Sequence, residues 1–259
     1  VTSTNPFYYI YSNLRVVYDF DSDFAKQLVM TSTMEGDDIW KDQGVAWFVP
    51  KFNSPYARMS AYITTLRSVV DNLVRERVQS MAVESTRWCD YSNNSKFEGI
   101  TFCLPHWINY SIFDSCMKRF LADVKEANIN KDKIDKLYDY EDIAFCLYQN
   151  TEVIEAKRCY HYIRASILDE ILYNEAKDEL KLPAQDAREY LFLGIKSEMY
   201  YTGYNEDWDN IIKKRLYDKY GKAHENMHVI MQKCKDHLDS IRVSQKVAQD
   251  DGTSKSTSK

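Results

Sequence analysis

His224-Glu225-Asn226-Met227-His228 is the stretch of this chain best suited to chemistry. On one helix, histidines four residues apart lie on consecutive turns, where both imidazoles can bind Zn²⁺ and the intervening glutamate can serve as general base on metal-bound water. A catalytic zinc also needs a third protein ligand. Where a zinc protease of the long pattern carries glycine and a third histidine, this chain has Met231 and Cys234, and no glutamate follows Glu225. Asp239 shares the face but lies about 16 Å along a straight helix from His228. A ligand from elsewhere, such as His106 or His161, would have to complete the site. A di-iron bundle needs a second ExxH, and Cys103, Arg158, Gly221 and Cys234 occupy the positions three before the other histidines.

A packing role accounts for the same segment. His224, Met227, Met231, Cys234, Leu238 and Ile241 recur by threes and fours, which draws a buried seam along one helix. Other catalytic patterns are absent. Seven glycines, at 36, 44, 99, 194, 203, 221 and 252, build no nucleotide loop and no nucleophile elbow. Cys159 and His161 diverge by about 200° on a helix, so they form no nucleophile pair. Six cysteines without any CxxC argue against a zinc ribbon and read as reduced, buried thiols.

A second candidate is a surface. Ile211–Lys222 mixes apolar residues with Lys213, Lys214, Arg215 and Lys219, which could track the backbone of single-stranded nucleic acid while rings stack on bases. The net charge of −5 does not favour such a partner, and a plain amphipathic helix explains the pattern. Upstream, Tyr200, Tyr201, Tyr204 and Trp208 crowd together in the manner of a protein contact.

The elements that must position these residues read as helices. Only 7 Gly and 5 Pro occur in 259 residues, and Pro55, Pro105 and Pro183 each precede a helical pattern. Apolar residues from Met59 through Met81 step by three and four, which predicts a long helix over 55–88. Its arginines, Arg58, Arg67, Arg75, Arg77 and Arg87, scatter around that helix as a solvated surface. Further helices are expected near 111–127, 131–149, 151–181, 184–201, 206–220 and 222–248. Residues 7–20 suit a strand or a short helix, 21–33 a capped helix, Val45–Val49 a buried strand, and 89–110 a loop with an extended piece at 100–104.

Together these features predict an all-α, bundle-like protein with a small irregular or β-containing N-terminal region. Its divisions are 1–53 packed on the main domain, a helical domain over 54–249, and a flexible tail over 250–259. No apolar run approaches the about 20 residues of a membrane span, and the cytoplasm is the expected compartment. The functional expectation is a non-enzymatic assembly, scaffold or coat protein that self-associates or binds a protein partner, with no catalytic residue, cofactor or metal. The alternatives are a zinc hydrolase using Glu225 with His224 and His228, and a single-stranded nucleic-acid packaging protein.

Overall fold

A computed structural model describes residues 8–10, 15–17, 46–48, 58–77, 79–92, 99–129, 136–219 and 221–253. The expected helix over 21–33 lies outside them. The chain divides into two compact units, Val1–Tyr11 with Ser85–Lys196, and Ser12–Glu84 with Ser197–Lys259.

The first unit is helical around a small sheet. β1 (Tyr8–Ile10) runs parallel to β2 (Thr101–Cys103). Three helices follow: α1 (Tyr110–Glu126), α2 (Leu137–Gln149) and α3 (Ile154–Asp178). The Asn109 side chain accepts from the Ile112 N–H and so caps α1. One face of α1 buries Phe113, Met117, Phe120 and Val124, and Phe120 meets Tyr140 of α2. α3 is buried on more than one side, because Tyr160, Ile163, Ile167, Ile171 and Tyr173 all lie in the core. The Tyr162 hydroxyl donates to the Cys103 carbonyl at 2.9 Å and ties α3 to the sheet. A short α4 (Ala184–Ala187) and a 3-10 turn (Arg188–Tyr190) close the unit.

The second unit is built on a five-stranded sheet. In addition to β3 (Arg15–Val17), β4 (Ala46–Phe48), β5 (Arg58–Leu66) and β6 (Ser80–Val83), it contains β7, whose span Lys196–Tyr204 starts at the unit boundary. The order is β3-β4-β5-β7-β6. β4 is antiparallel to β5 with Ala46 opposite Tyr62, and β6 is antiparallel to β7 with Ala82 opposite Tyr200. Its helices are α5 (Arg67–Leu73), α6 (Asn205–Arg215) and α7 (Glu225–Thr253). Of the expected seam, Met227, Met231, Cys234 and Leu238 are buried along α7, His224 is exposed ahead of the helix, and the Ile241 side chain lies outside the described residues. Trp208 of α6 is fully buried edge-on against Tyr201 of β7, with centroids 5.3 Å apart.

The all-α bundle is therefore corrected to a mixed α/β fold. The long helix over 55–88 is in fact β5, then the two-turn α5, a turn and β6. The expected helix over 184–201 is α4, a 3-10 turn and most of β7. Both misreadings share a cause. Every residue from Ala61 to Leu66 is buried, as are Ser197 to Tyr201. An interior strand covered on both faces loses the polar-apolar alternation that marks a strand, so steps of three and four can be picked out of it.

Candidate functional site

In the second unit, polar chemistry collects where the turn after α5 leads into β6. Val74 caps α5, the Arg75 N–H donates to the Asn72 carbonyl, and the Glu76 N–H donates to the Leu73 carbonyl at 3.0 Å. This tight reversal buries Glu76, at 8% exposure, between two exposed arginines, Arg75 and Arg77. The Glu76 carboxylate takes Nε and Nη2 of Arg215 on Oε1, at 2.9 and 2.7 Å, and Nζ of Lys214 on Oε2 at 3.1 Å. Both cations sit in the last turn of α6, where they also meet the negative end of the helix dipole. The two Arg215 nitrogens converge on one oxygen while Lys214 holds the other, so both carboxylate oxygens are taken by charge-assisted bonds. Arg75 and Arg77 are both exposed on this turn and make no ion pair among the described residues.

Gln79 follows, 7% exposed, and neither its Oε1 nor its Nε2 has a hydrogen-bond partner among the described residues. Its carboxamide lies flat on Gly203 of β7, where an added Cβ would stand 3.0 Å from Cδ. At the other end of β6 lie two buried glutamates, Glu84 and Glu198. The Glu198 N–H donates to Glu84 Oε2 at 3.0 Å, and the Glu84 N–H donates to the Glu198 carbonyl at 2.8 Å. Arg67 Nη1 donates to the Glu84 carbonyl at 3.2 Å while its Nε holds Asp71. The Tyr62 ring of β5 lies tilted against that of Tyr200, with centroids 4.9 Å apart. Burial, reinforced by the nearby Glu198 charge, raises the Tyr62 hydroxyl well above an ordinary phenol, so it stays a proton donor.

The residues singled out in the sequence lie elsewhere in this unit. α7 starts at Glu225, so His224 precedes the helix and does not share a helical face with His228. Its Nδ1 accepts from the Asn226 N–H at 3.2 Å. His228 uses Nε2 on Asp218 Oδ1 at 2.9 Å and Nδ1 on Glu225 Oε2 at 3.3 Å, and Glu225 is also paired to Lys222 at 2.8 Å. The backbone N–H of Ala223, then His228, holds the Asp218 carboxyl below its usual range. No group of three His, Cys, Asp or Glu among the described residues is placed to hold one metal ion. Of the basic run, Lys213 and Lys219 are exposed, whereas Lys214 and Arg215 are committed to Glu76. In the first unit, His161 lies 5.7 Å from the Tyr148 ring and His106 is exposed.

The turn carrying Arg75, Glu76, Arg77 and Gln79 was not picked out by spacing. Read as one long helix, its arginines scatter; read as a reversal anchored on a buried glutamate, Arg75 and Arg77 are both exposed on one turn. The available signal was a glutamate between two arginines followed by glutamine within five residues.

The family model of the thymidylate synthase complementing proteins, Thy1, matches residues 54–241, well over half of the 259. This chain belongs to that family. The match begins before β5 and runs into α7, so it spans both the anchored turn and its partners on α6. Membership overturns the expectation of a non-enzymatic scaffold or coat protein, and the zinc hydrolase and packaging alternatives fall with it. The expectation of no cofactor, with zinc as its alternative, is likewise corrected, because the family is one of flavin-dependent thymidylate synthases. Two solved structures are similar at low identity. One is Thymidylate Synthase X (ThyX) from Helicobacter pylori with FAD and dUMP, at 14% identity and a TM-score of 0.41, covering 69% of this chain and 66% of that one. The other is the UMP/dUMP methylase PolB from Streptomyces cacaoi bound with 5-Br UMP, at 13% identity and 0.39, covering 71% and 69%. This chain thus spans slightly less than two thirds of the Helicobacter pylori chain. No curated protein sequence matches it. Among the described residues, no helix is long and apolar enough to cross a membrane.

Proposed function

We propose that this protein is a flavin-dependent thymidylate synthase that binds FAD and converts dUMP to thymidylate. The observation that carries the reading is the Thy1 match across residues 54–241. The turn after α5 fits such ligands on its own chemistry. Dinucleotide and nucleotide phosphates need fixed cations, and Arg75 and Arg77 offer guanidiniums that make no ion pair among the described residues, on a backbone anchored by Glu76. The flavin, when bound, supplies the electron pair for the reduction that yields a methyl group. The chain supplies binding and orientation. Glu76 holds the turn against α6, so Arg75 and Arg77 are presented without first breaking an ion pair of their own. Glu84 and Glu198 cross-link β6 to β7 through backbone bonds and fix the strand that leaves the turn. Self-association, suggested by the abundance of tyrosine and tryptophan, is part of the same proposal, and light scattering of the native particle tests it.

The test is direct. Purified protein titrated with FAD should perturb the flavin spectrum, and the loaded protein should bind dUMP and form thymidylate when a reductant and a one-carbon donor are supplied. Protein that takes up neither FAD nor dUMP refutes the assignment.

A further inference from the structure

Gln79 is expensive to keep where it is. A buried carboxamide brings two donors and an acceptor out of water, and an amide left unpartnered costs more stability than an apolar side chain of the same shape. Buried polar groups are otherwise almost always satisfied, so an exception calls for an explanation. Here both Oε1 and Nε2 lack partners among the described residues. The space that admits the amide is created by Gly203, since a methyl at that position would press on Cδ, Nε2 and Oε1 at 3.0 to 3.2 Å. On the same short stretch stand exposed Arg77 and Ser80. The unpartnered amide thus sits one residue from exposed Ser80 and two from exposed Arg77.

We infer that Gln79 is a specificity residue whose carboxamide reads the imide edge of a nucleotide ring held by the Arg75–Arg77 turn. An imide presents N–H beside C=O. A carboxamide presents C=O beside N–H at the same spacing, so the two close a pair of parallel hydrogen bonds. Uracil and the isoalloxazine ring share this edge, and the experiment separates them. The inference rests on the nucleotide-binding reading above and adds the group that selects the ring.

The experiment measures equilibrium binding of dUMP and of FAD, each beside its N3-methylated imide analogue, to the wild-type protein and to Gln79→Met. Methionine keeps the length and unbranched shape while removing both polar atoms. The expected result is that Gln79→Met melts at or above the wild-type temperature and loses about tenfold or more in affinity for one of the two nucleotides. The methylated analogue of that same nucleotide should bind wild type equally poorly, and the variant should not discriminate against it. Loss confined to dUMP assigns the edge to uracil; loss confined to FAD assigns it to the flavin. Unchanged affinity for both nucleotides overturns the inference, as does a variant that melts well below wild type, because that outcome marks a satisfied structural amide. Wild-type affinity for both methylated analogues overturns it independently of any variant. Wild-type protein that binds neither parent nucleotide overturns the functional reading itself, and the inference with it.

Discussion

Replacing Glu76 with alanine strands two cations. Its side chain is 9% exposed, against 26% for Arg215 and 38% for Lys214, so the arginine pair is the protected one. Removing one partner of a buried ion pair costs about 3–5 kcal/mol. Lys214 is more than a third exposed, so water recovers most of its loss, and an exposed pair is worth only about 0–1 kcal/mol. Arg215 is partly wet as well, which lowers the expected total for Glu76→Ala to about 2–3 kcal/mol. In a chain of this size about 1 kcal/mol moves the melting midpoint by about 2–4 °C, so a drop of about 4–12 °C is expected. Lys214→Ala should cost about 0–1 kcal/mol. Thermal unfolding of Glu76→Ala, Arg215→Ala and the double variant measures the coupling between the two partners. A coupling below about 0.5 kcal/mol, within the error of additivity for independent sites, would refute the claim that this pair anchors the turn.

The exposed arginines should behave in the opposite way. Arg75→Ala and Arg77→Ala are each expected to leave the melting temperature nearly unchanged while weakening FAD or dUMP binding by about tenfold or more, as a titration would read. In the first unit, burial raises Asp169 to about 7 and Glu170 to about 8, the latter assisted by the Asp169 charge. Carboxyls raised in the folded state stabilise most below their unfolded pKa, so stability should fall as pH rises from about 4 toward 8. Glu170→Gln should flatten that slope in denaturant melts across this range, and an unchanged slope counts against the argument. Trp208→Ala removes a fully buried indole packed on Tyr201 and should cost about 3–5 kcal/mol by chemical denaturation.

What could be read without coordinates was whatever depends on one face of one element. α1, α2, α6 and α7 lie close to where apolar spacing places them, since a helix with one buried side announces itself at intervals of three and four, and α3 lies close to its expected span although it is buried on more than one side. The seam Met227, Met231, Cys234 and Leu238 is of this kind, and so is the short strand at Ala46–Phe48. The candidate site was not of this kind. Arg75, Glu76, Arg77 and Gln79 acquire meaning only because α5 stops after seven residues and the chain reverses into β6. The reversal in turn depends on β5 and β7 lying side by side in the sheet interior. Strand pairing joins residues more than a hundred positions apart, as Ser60 and Thr202 are joined at 2.7 Å, and no local pattern records it. Local periodicity could therefore settle which segments coil, while partners far along the chain decided which apolar runs extend, and with them where the two arginines stand.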